Sequence, residues 1–443
     1  MARLVRFRVL DGVAVVTLDA PPVNALSKPI RGGLWEVFGR INENDDIKAA
    51  VLMASGRMFS AGADFREFDS KAGEPSLPQL CNRIEACTKP VIAAIHGQAL
   101  GGGAELVLAA HYRLASPDAR IGLPEVALGL IPGAGGTQRL PRLIGAERAL
   151  QMMISTSAID AGSAHRVGLV DGIVQGDLGS GAIAFAQDLV AKGQGPRPTR
   201  SNRTHLIDAR TFQAAIAKVR TSLAQNPLHA PQRVVDCVEA CALLPFDAAL
   251  AFEEDAFERC LNHSQSIALR HVFVAERKID GALIERDGAA FKPVDPMGKS
   301  TVQRLRRALR SAAQYLVDQG GKTEEQIDAA MLAYGFRKGP FGGKDAGSND
   351  DEIARRLMAA LVVEGLACLA EQAVQRPSDI DALAVHGLGY PRRCGGPLRA
   401  AQTDGLIALR KDMRIWTEQS DIWMVPELLD EAIKDAKGFD ALG

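Results

Sequence analysis

No sign of charge dominates this 443-residue chain: 52 lysines and arginines stand against 53 aspartates and glutamates, with no long run of either. Such a surface has no field to steer it toward nucleic acid or an anionic bilayer, so a small-molecule partner is expected. Cysteine is sparse and unpatterned. The seven, at positions 81, 87, 237, 241, 260, 368 and 394, supply neither a disulfide framework nor a CxxC ligand pair, and a reducing cytoplasm is the expected setting. The opening MARLVRFRVLDGVAVVTLDAPP is basic but alternates like a strand and lacks the apolar core and small-residue cleavage site of an export signal. One stretch, Pro90 to Ala110, is apolar enough to suggest a membrane span, yet it contains His96, Glu105 and three consecutive glycines. It reads instead as strand, tight turn and buried helix. Internal repeats and low-complexity tracts are absent.

A chain of this length exceeds one ordinary core, which predicts roughly two to four units. Up to about residue 190, short apolar runs alternate with helical periodicity, and strands are expected at Val13 to Leu18, Ala49 to Ala54, Val91 to Ile95 and Arg120 to Leu123. That alternation is an α/β pattern. The polar, glycine- and proline-rich AKGQGPRPTRSNRT then reads as a linker, and apolar residues recur at three and four from Thr211 to Lys278, predicting amphipathic helices. A second break, IDGALIERDGAAFKPVDPMGKS, has little periodicity. Helices resume from Val302, with Thr323 and Gln326 at capping-box spacing and a long apolar stripe from Glu352 to Val374.

Three segments of the first region carry chemistry. In MFSAGAD, Met58 to Asp64, a strand gives way to Ala61, Gly62 and Ala63, small residues that let a ligand approach backbone N–H groups. In HGQALGGGAEL, Gly101, Gly102 and Gly103 open a helix whose first amides have no internal partner and carry the positive end of its dipole. Two N–H groups from separate segments can form an oxyanion hole for a thioester carbonyl on its way to an enolate. In IGLPEVALGLIPGAGGTQRL, Glu125 follows a strand and a proline, while Glu105 lies in the first turn of its own helix. Two carboxylates can therefore face one pocket.

SAGAD, ALGGGAE and PEVALGLIPGAGGTQRL, with PPVNAL at Pro21 to Leu26 and VGLVDGIV near Val167, resemble the signature stretches of the crotonase, or enoyl-CoA hydratase/isomerase, superfamily over roughly residues 5 to 190. The resemblance implies that Glu105 and Glu125 are the catalytic pair, and that Ala61 and Gly102 donate the oxyanion-hole N–H groups. It further implies that Ala25, Leu26, Ala61, Gly62, Ala63, Asp64 and Gly101 line the acyl-CoA site. Hydration needs both carboxylates: one deprotonates water at the β-carbon and the other delivers a proton to the α-carbon. The resemblance assigns these tasks to Glu105 and Glu125 respectively. Moving a double bond needs only one mobile glutamate, so Δ3-Δ2 enoyl-CoA isomerisation is an expected side activity.

Residues 200 to 280 resemble the helical linker of type-1 multifunctional β-oxidation enzymes, and 302 to 443, with MLAYGFRKGPFGGKDAG and SDIDALAVHGLGYPRRCGGPL, resemble their dehydrogenase C-terminal part. The implied fold is a spiral α/β crotonase domain over 1–195, an all-α linker over 196–298, and an all-α domain over 299–443 like the C-terminal part of 3-hydroxyacyl-CoA dehydrogenases. The dinucleotide-binding domain that separates these parts in such enzymes has no counterpart: no glycines satisfy GxGxxG, and Lys278 to Lys299 is too short for βαβ units. The expectation is a hydratase making a (3S)-hydroxyacyl-CoA, without cofactor or metal and without NAD-dependent activity. Because the linker helices of such enzymes cover the surface used by isolated crotonases for trimers, a monomer is expected, with a separate dehydrogenase as the possible partner that takes the product.

Each feature has a plainer explanation. Glu105 and Glu125 taken singly fit helix-start carboxylates, and only their shared setting points to catalysis. His96 reads as a hydrogen-bonded core histidine, and Asp64 as a loop carboxylate that binds without carrying a proton. GKST at Gly298 to Thr301 lacks the first glycine of a phosphate loop, since Pro293 stands there. The helix IALRHVFVAERK has two readings: one folds it over the mouth of the pocket, with Phe273 against the pantetheine and Arg277 or Lys278 near the CoA phosphates, and the other is a snorkelling amphipathic helix. The competing function is a non-catalytic acyl-CoA-binding or assembly module.

Overall fold

Asp11 and Gly12 both take positive φ, 46° and 78°, the mirror-image two-residue turn whose twist suits a hairpin. They fold Val5–Leu10 (β1) back on Val13–Leu18 (β2), with Leu10 opposite Val13. The computed structural model describes residues 4–67, 73–288, 290–344 and 350–442; the end of the MLAYGFRKGPFGGKDAG stretch lies outside them. The chain continues through Ala49–Ala54 (β3), Val91–Ile95 (β4), Gln98–Leu100 (β5), Tyr112–Ala115 (β6), Arg120–Gly122 (β7), Ile159–Asp160 (β8) and Gly172–Ile173 (β9). A six-stranded sheet has the order β1-β2-β3-β4-β6-β9 and is parallel beyond its first pair. β5, β7 and β8 form a second, three-stranded sheet.

β2, β3 and β4 are buried along almost their whole length, as a parallel sheet covered on both faces requires. On one face Val16, Leu18 and Leu52 pack with Leu34 and Phe38 of helix Lys28–Glu43. On the other, Val13, Val51 and Ile92 pack with Ala182, Ala186 and Leu189 of helix Leu178–Ala191. Each of the valine, leucine, isoleucine and phenylalanine side chains among these contributes about 1.5–3 kcal/mol on burial, so the strands leading into the site rest on a stiff base.

The expected linker is tied down. Tyr112 donates its hydroxyl to the Gly195 carbonyl at 3.0 Å, and the buried Thr199 hydroxyl donates to Leu108 at 3.0 Å. Helices Ala209–Ser222, Ala230–Leu243 and Phe246–Leu261 follow. Their Phe212, Ile216, Val234, Val238 and Cys260 belong to the same core as β2 and β3. The chain divides into two compact units, Met1–Asn262 and His263–Gly443, so the division falls inside the stretch expected as linker. The physical reason is the placement of apolar faces: the three helices between Ala209 and Leu261 complete the first core.

Among the described residues the second unit is helical apart from one antiparallel hairpin, Ile284–Asp287 with Ala290–Pro293, in the break that showed no periodicity. Helix Ser264–Lys278 is held within this unit by His271, 2.8 Å from Asp381, and by Glu276, which meets His386 at 2.6 Å and also pairs with Arg392. The capping box of Thr323 and Gln326 is formed at the start of Glu324–Tyr334, and the long stripe is helix Asp351–Ala370. Gly298 to Thr301 lies in the first turns of helix Met297–Asp318. Among the described residues, no helix is long and apolar enough to cross a membrane.

Candidate functional site

β5 runs into a turn at Gly101, whose φ of +53° is open to glycine and strained for other residues. Its amide donates to Gly122 at 2.9 Å, and helix Gly102–Ala109 starts immediately after, buried at every position. Gly102 is needed for close approach: a Cβ there would stand 2.5 Å from the Leu77 side chain and 3.3 Å from the Ala63 nitrogen. The first turn of this helix and the 60–63 segment are thus adjacent. Ser60 ties them in register, its amide donating to Gln98 at 3.0 Å and its carbonyl accepting from Leu100 at 2.9 Å.

One expected oxyanion donor needs correction. The Ala61 amide donates to the Val23 carbonyl at 2.9 Å and is not free to hold a ligand oxygen. Gly62 turns the chain with φ of +95°, and the next amide, Ala63, faces Gly102. Among the described residues, neither the Ala63 nor the Gly102 amide has a protein acceptor. The pair of free donors is therefore Ala63 with Gly102. Leu26 closes this corner, its amide donating to Gly62 at 2.9 Å and its side chain buried. Asn24 braces the loop by donating to Ser55 and Met58, each at 2.9 Å; Ala25 beside it is half-buried.

Glu105 is 3% exposed, and its Oε1 accepts from the Ala134 amide at 2.6 Å and the Gly136 amide at 2.9 Å. Glu125 opens the turn Glu125–Leu128. Although the residue as a whole is half-buried, its Oε2 is enclosed and has no hydrogen-bond partner among the described residues. A Cβ on Gly101 would stand 3.3 Å from its Oε1. Burial raises the Glu105 carboxyl above the ordinary range, opposed by the two amides and by Arg139. Burial raises Glu125 further, and the charge of Glu105 adds to it. Like groups with unlike surroundings are the arrangement that splits an acid from a base.

A third carboxylate escaped sequence reasoning. Glu253, on helix Phe246–Leu261 and 1% exposed, accepts from the Gly135 amide at 2.5 Å, from the Thr137 amide at 2.9 Å and from the Thr137 hydroxyl. Burial, then the charge of Glu105, pushes it up to about 8, against the pull of these donors. In LAFEEDAF its spacing looks like that of any helix carboxylate; only the fold brings it to residues 135–137.

Asp64 is buried and paired with Arg66 at 2.6 Å, which holds its carboxyl below the usual range. It organises its own turn, as expected of a loop carboxylate. His96 bonds the Gly56 carbonyl at 2.9 Å. Leu26, Gly62, Ala63, Gly101, Gly102, Glu105 and Glu125 are brought together; Phe273 and Lys278 stand on helix Ser264–Lys278 of the second unit, where Arg277 covers the Phe273 ring. Among the described residues, no group of three His, Cys, Asp or Glu side chains is placed to hold a metal ion.

The sequence profile of the family described as enoyl-CoA hydratase/isomerase matches residues 8–274. A peroxisomal fatty acid beta-oxidation multifunctional protein of Arabidopsis thaliana is 39% identical over 60% of this chain and 39% of its own length. A protein of the same description from Oryza sativa subsp. japonica is 33% identical over 72% of this chain and 50% of its own. The chain thus spans half or less of these relatives. Among solved structures, carnitinyl-CoA hydratase from Mycobacterium avium aligns at 22% identity, covering 62% of this chain and 97% of that one, with a TM-score of 0.48. The peroxisomal relatives overturn the cytoplasmic placement. Free, mostly buried thiols speak against a disulfide scaffold but do not say which compartment surrounds them.

Proposed function

Because the chain belongs to the enoyl-CoA hydratase/isomerase family, we propose that it adds water across the 2,3 double bond of a trans-2-enoyl-CoA in fatty acid β-oxidation, giving the (3S)-hydroxyacyl-CoA. The observation that carries this reading is the pair of buried carboxylates in opposed surroundings next to two unengaged amides. The Ala63 and Gly102 amides hold the thioester oxygen as negative charge develops on it. Glu105, whose anionic form two amide donors favour against the burial that raises its carboxyl, takes a proton from the water whose oxygen bonds to the β-carbon. Glu125, raised by burial and with no hydrogen-bond partner on its Oε2 among the described residues, delivers its proton to the α-carbon. The water's hydroxyl and a proton are thereby added with no electron transfer, so no redox cofactor takes part. Carrying a proton between the α- and γ-carbons requires only Glu125, which supports a secondary Δ3-Δ2 isomerase activity.

Purified protein given crotonyl-CoA and longer 2-enoyl-CoA substrates in buffer alone is expected to bleach the absorbance of the conjugated thioester. No loss of absorbance with any chain length would refute the proposal.

A further inference from the structure

Four consecutive amides, 134 to 137, lie between two buried carboxylates. Ala134 and Gly136 donate to Glu105, and Gly135 and Thr137 donate to Glu253. Alternate N–H groups leave on opposite sides, so the segment is clamped between helices whose carboxylates lie 148 residues apart in sequence. We infer that Glu253 is a positioning residue for catalysis, fixing the 134–137 segment so that its other two amides hold Glu105 in place. The inference rests on Glu105 being the water-activating carboxylate.

Glu253 is not itself placed to react. Both its oxygens are engaged by Gly135 and Thr137, which leaves neither directed at a substrate. Its helix is held against the segment along one face. Leu250, Glu253 and Phe257 recur at three and four; Leu250 reaches 3.3 Å from a Cβ built on Gly135, and the Phe257 ring leaves no room for a side chain at Gly133. The start of the helix is anchored by the Phe246 ring, which lies under the guanidinium groups of Arg139, Arg142 and Arg200 at 5.4, 4.8 and 4.6 Å. Arg139 also donates to the Ala134 carbonyl at 2.9 Å, so it fixes both the segment and the helix that clamps it. Helix Phe246–Leu261 is in this sense part of the active site, although it lies well beyond residue 195.

With Glu253 removed, the Gly135 and Thr137 amides lose their buried acceptors, and the segment must turn to satisfy them. Turning it displaces the two amides that set the position and charge of Glu105. A displacement near 1 Å in such a support costs about 10²-fold in rate.

The test compares the full-length wild type with E253Q and E253A by steady-state hydration of crotonyl-CoA and by hydrogen–deuterium exchange of the peptide covering 134–137. Folded E253A is expected to lose about 10- to 100-fold in kcat with KM little changed. E253Q keeps one acceptor oxygen and is expected to lose less. In both variants the 134–137 amides are expected to exchange faster while those of 102–109 do not. Wild-type kcat per folded molecule, a change confined to KM, or unchanged exchange at 134–137 would each overturn the inference. If E253A does not fold, E253Q decides by the same criteria. If the wild type hydrates no enoyl-CoA, the hydratase reading fails and the exchange comparison alone decides whether Glu253 holds the segment.

Discussion

Glu105 and Glu125 end in the same functional group, and the difference between them comes from what surrounds each carboxyl. Glu105 accepts two short amide bonds; Glu125 has an enclosed oxygen that accepts none among the described residues. Because burial raises the Glu125 carboxyl well above its ordinary value, the folded protein holds that proton to a higher pH than the unfolded chain does. The stabilisation is therefore full below the unfolded value and is lost as pH rises through the folded one. Glu125→Gln has no charge to bury, so its Tm relative to wild type is expected to rise as the pH is taken from acidic to alkaline; a constant difference would contradict the assignment. Ala63 offers a second test at this scale. Ala63→Pro deletes the amide facing Gly102 and is expected to lower kcat by about 10²–10³-fold, with Ala63→Ser, which keeps it, near wild type. Equal losses in the two variants would count against that amide. The motif around residues 60–64 was legible in the sequence. Which of its two alanine amides is free was not, because that depends on the Val23 carbonyl, brought up by a loop nearly forty residues earlier.

At the scale of elements, legibility followed burial on both faces. β2, β3 and β4 are covered on both sides and appear in the sequence as apolar runs, broken only by Thr17 of β2, at their observed positions. The hairpin Ile284–Asp287 with Ala290–Pro293 buries Ile284 and leaves most of its remaining residues exposed, so no period marked it. Thr323 and Gln326 were readable because a capping box is satisfied within four residues. Glu253 was not, because its partners lie 116 and 118 residues away. The helices from Ala209 to Leu261 carry a measurable consequence. Since Phe212, Val234 and Val238 belong to the core of the sheet, a chain ending at residue 195 is expected to be insoluble or to expose apolar surface that binds a hydrophobic dye. A soluble, cooperatively unfolding 1–195 fragment would contradict that shared core.

For the whole molecule, a crotonase α/β region is followed by a helical one, as the sequence implied. Within His263–Gly443 the described strands form one antiparallel pair, whereas dinucleotide binding of the Rossmann kind needs parallel βαβ units. The expectation from the sequence that 3-hydroxyacyl-CoA with NAD yields no NADH is checked by assaying the pure protein, and steady NADH formation would refute it. The proposed chemistry depends on two glutamates sharing one hydration. Its most direct test is the rate of crotonyl-CoA hydration by Glu105→Gln and Glu125→Gln beside wild type, each variant first shown to be folded. Removing one partner of an acid–base pair is expected to lower kcat about 10²–10⁴-fold in each; a wild-type rate in either variant would contradict the account.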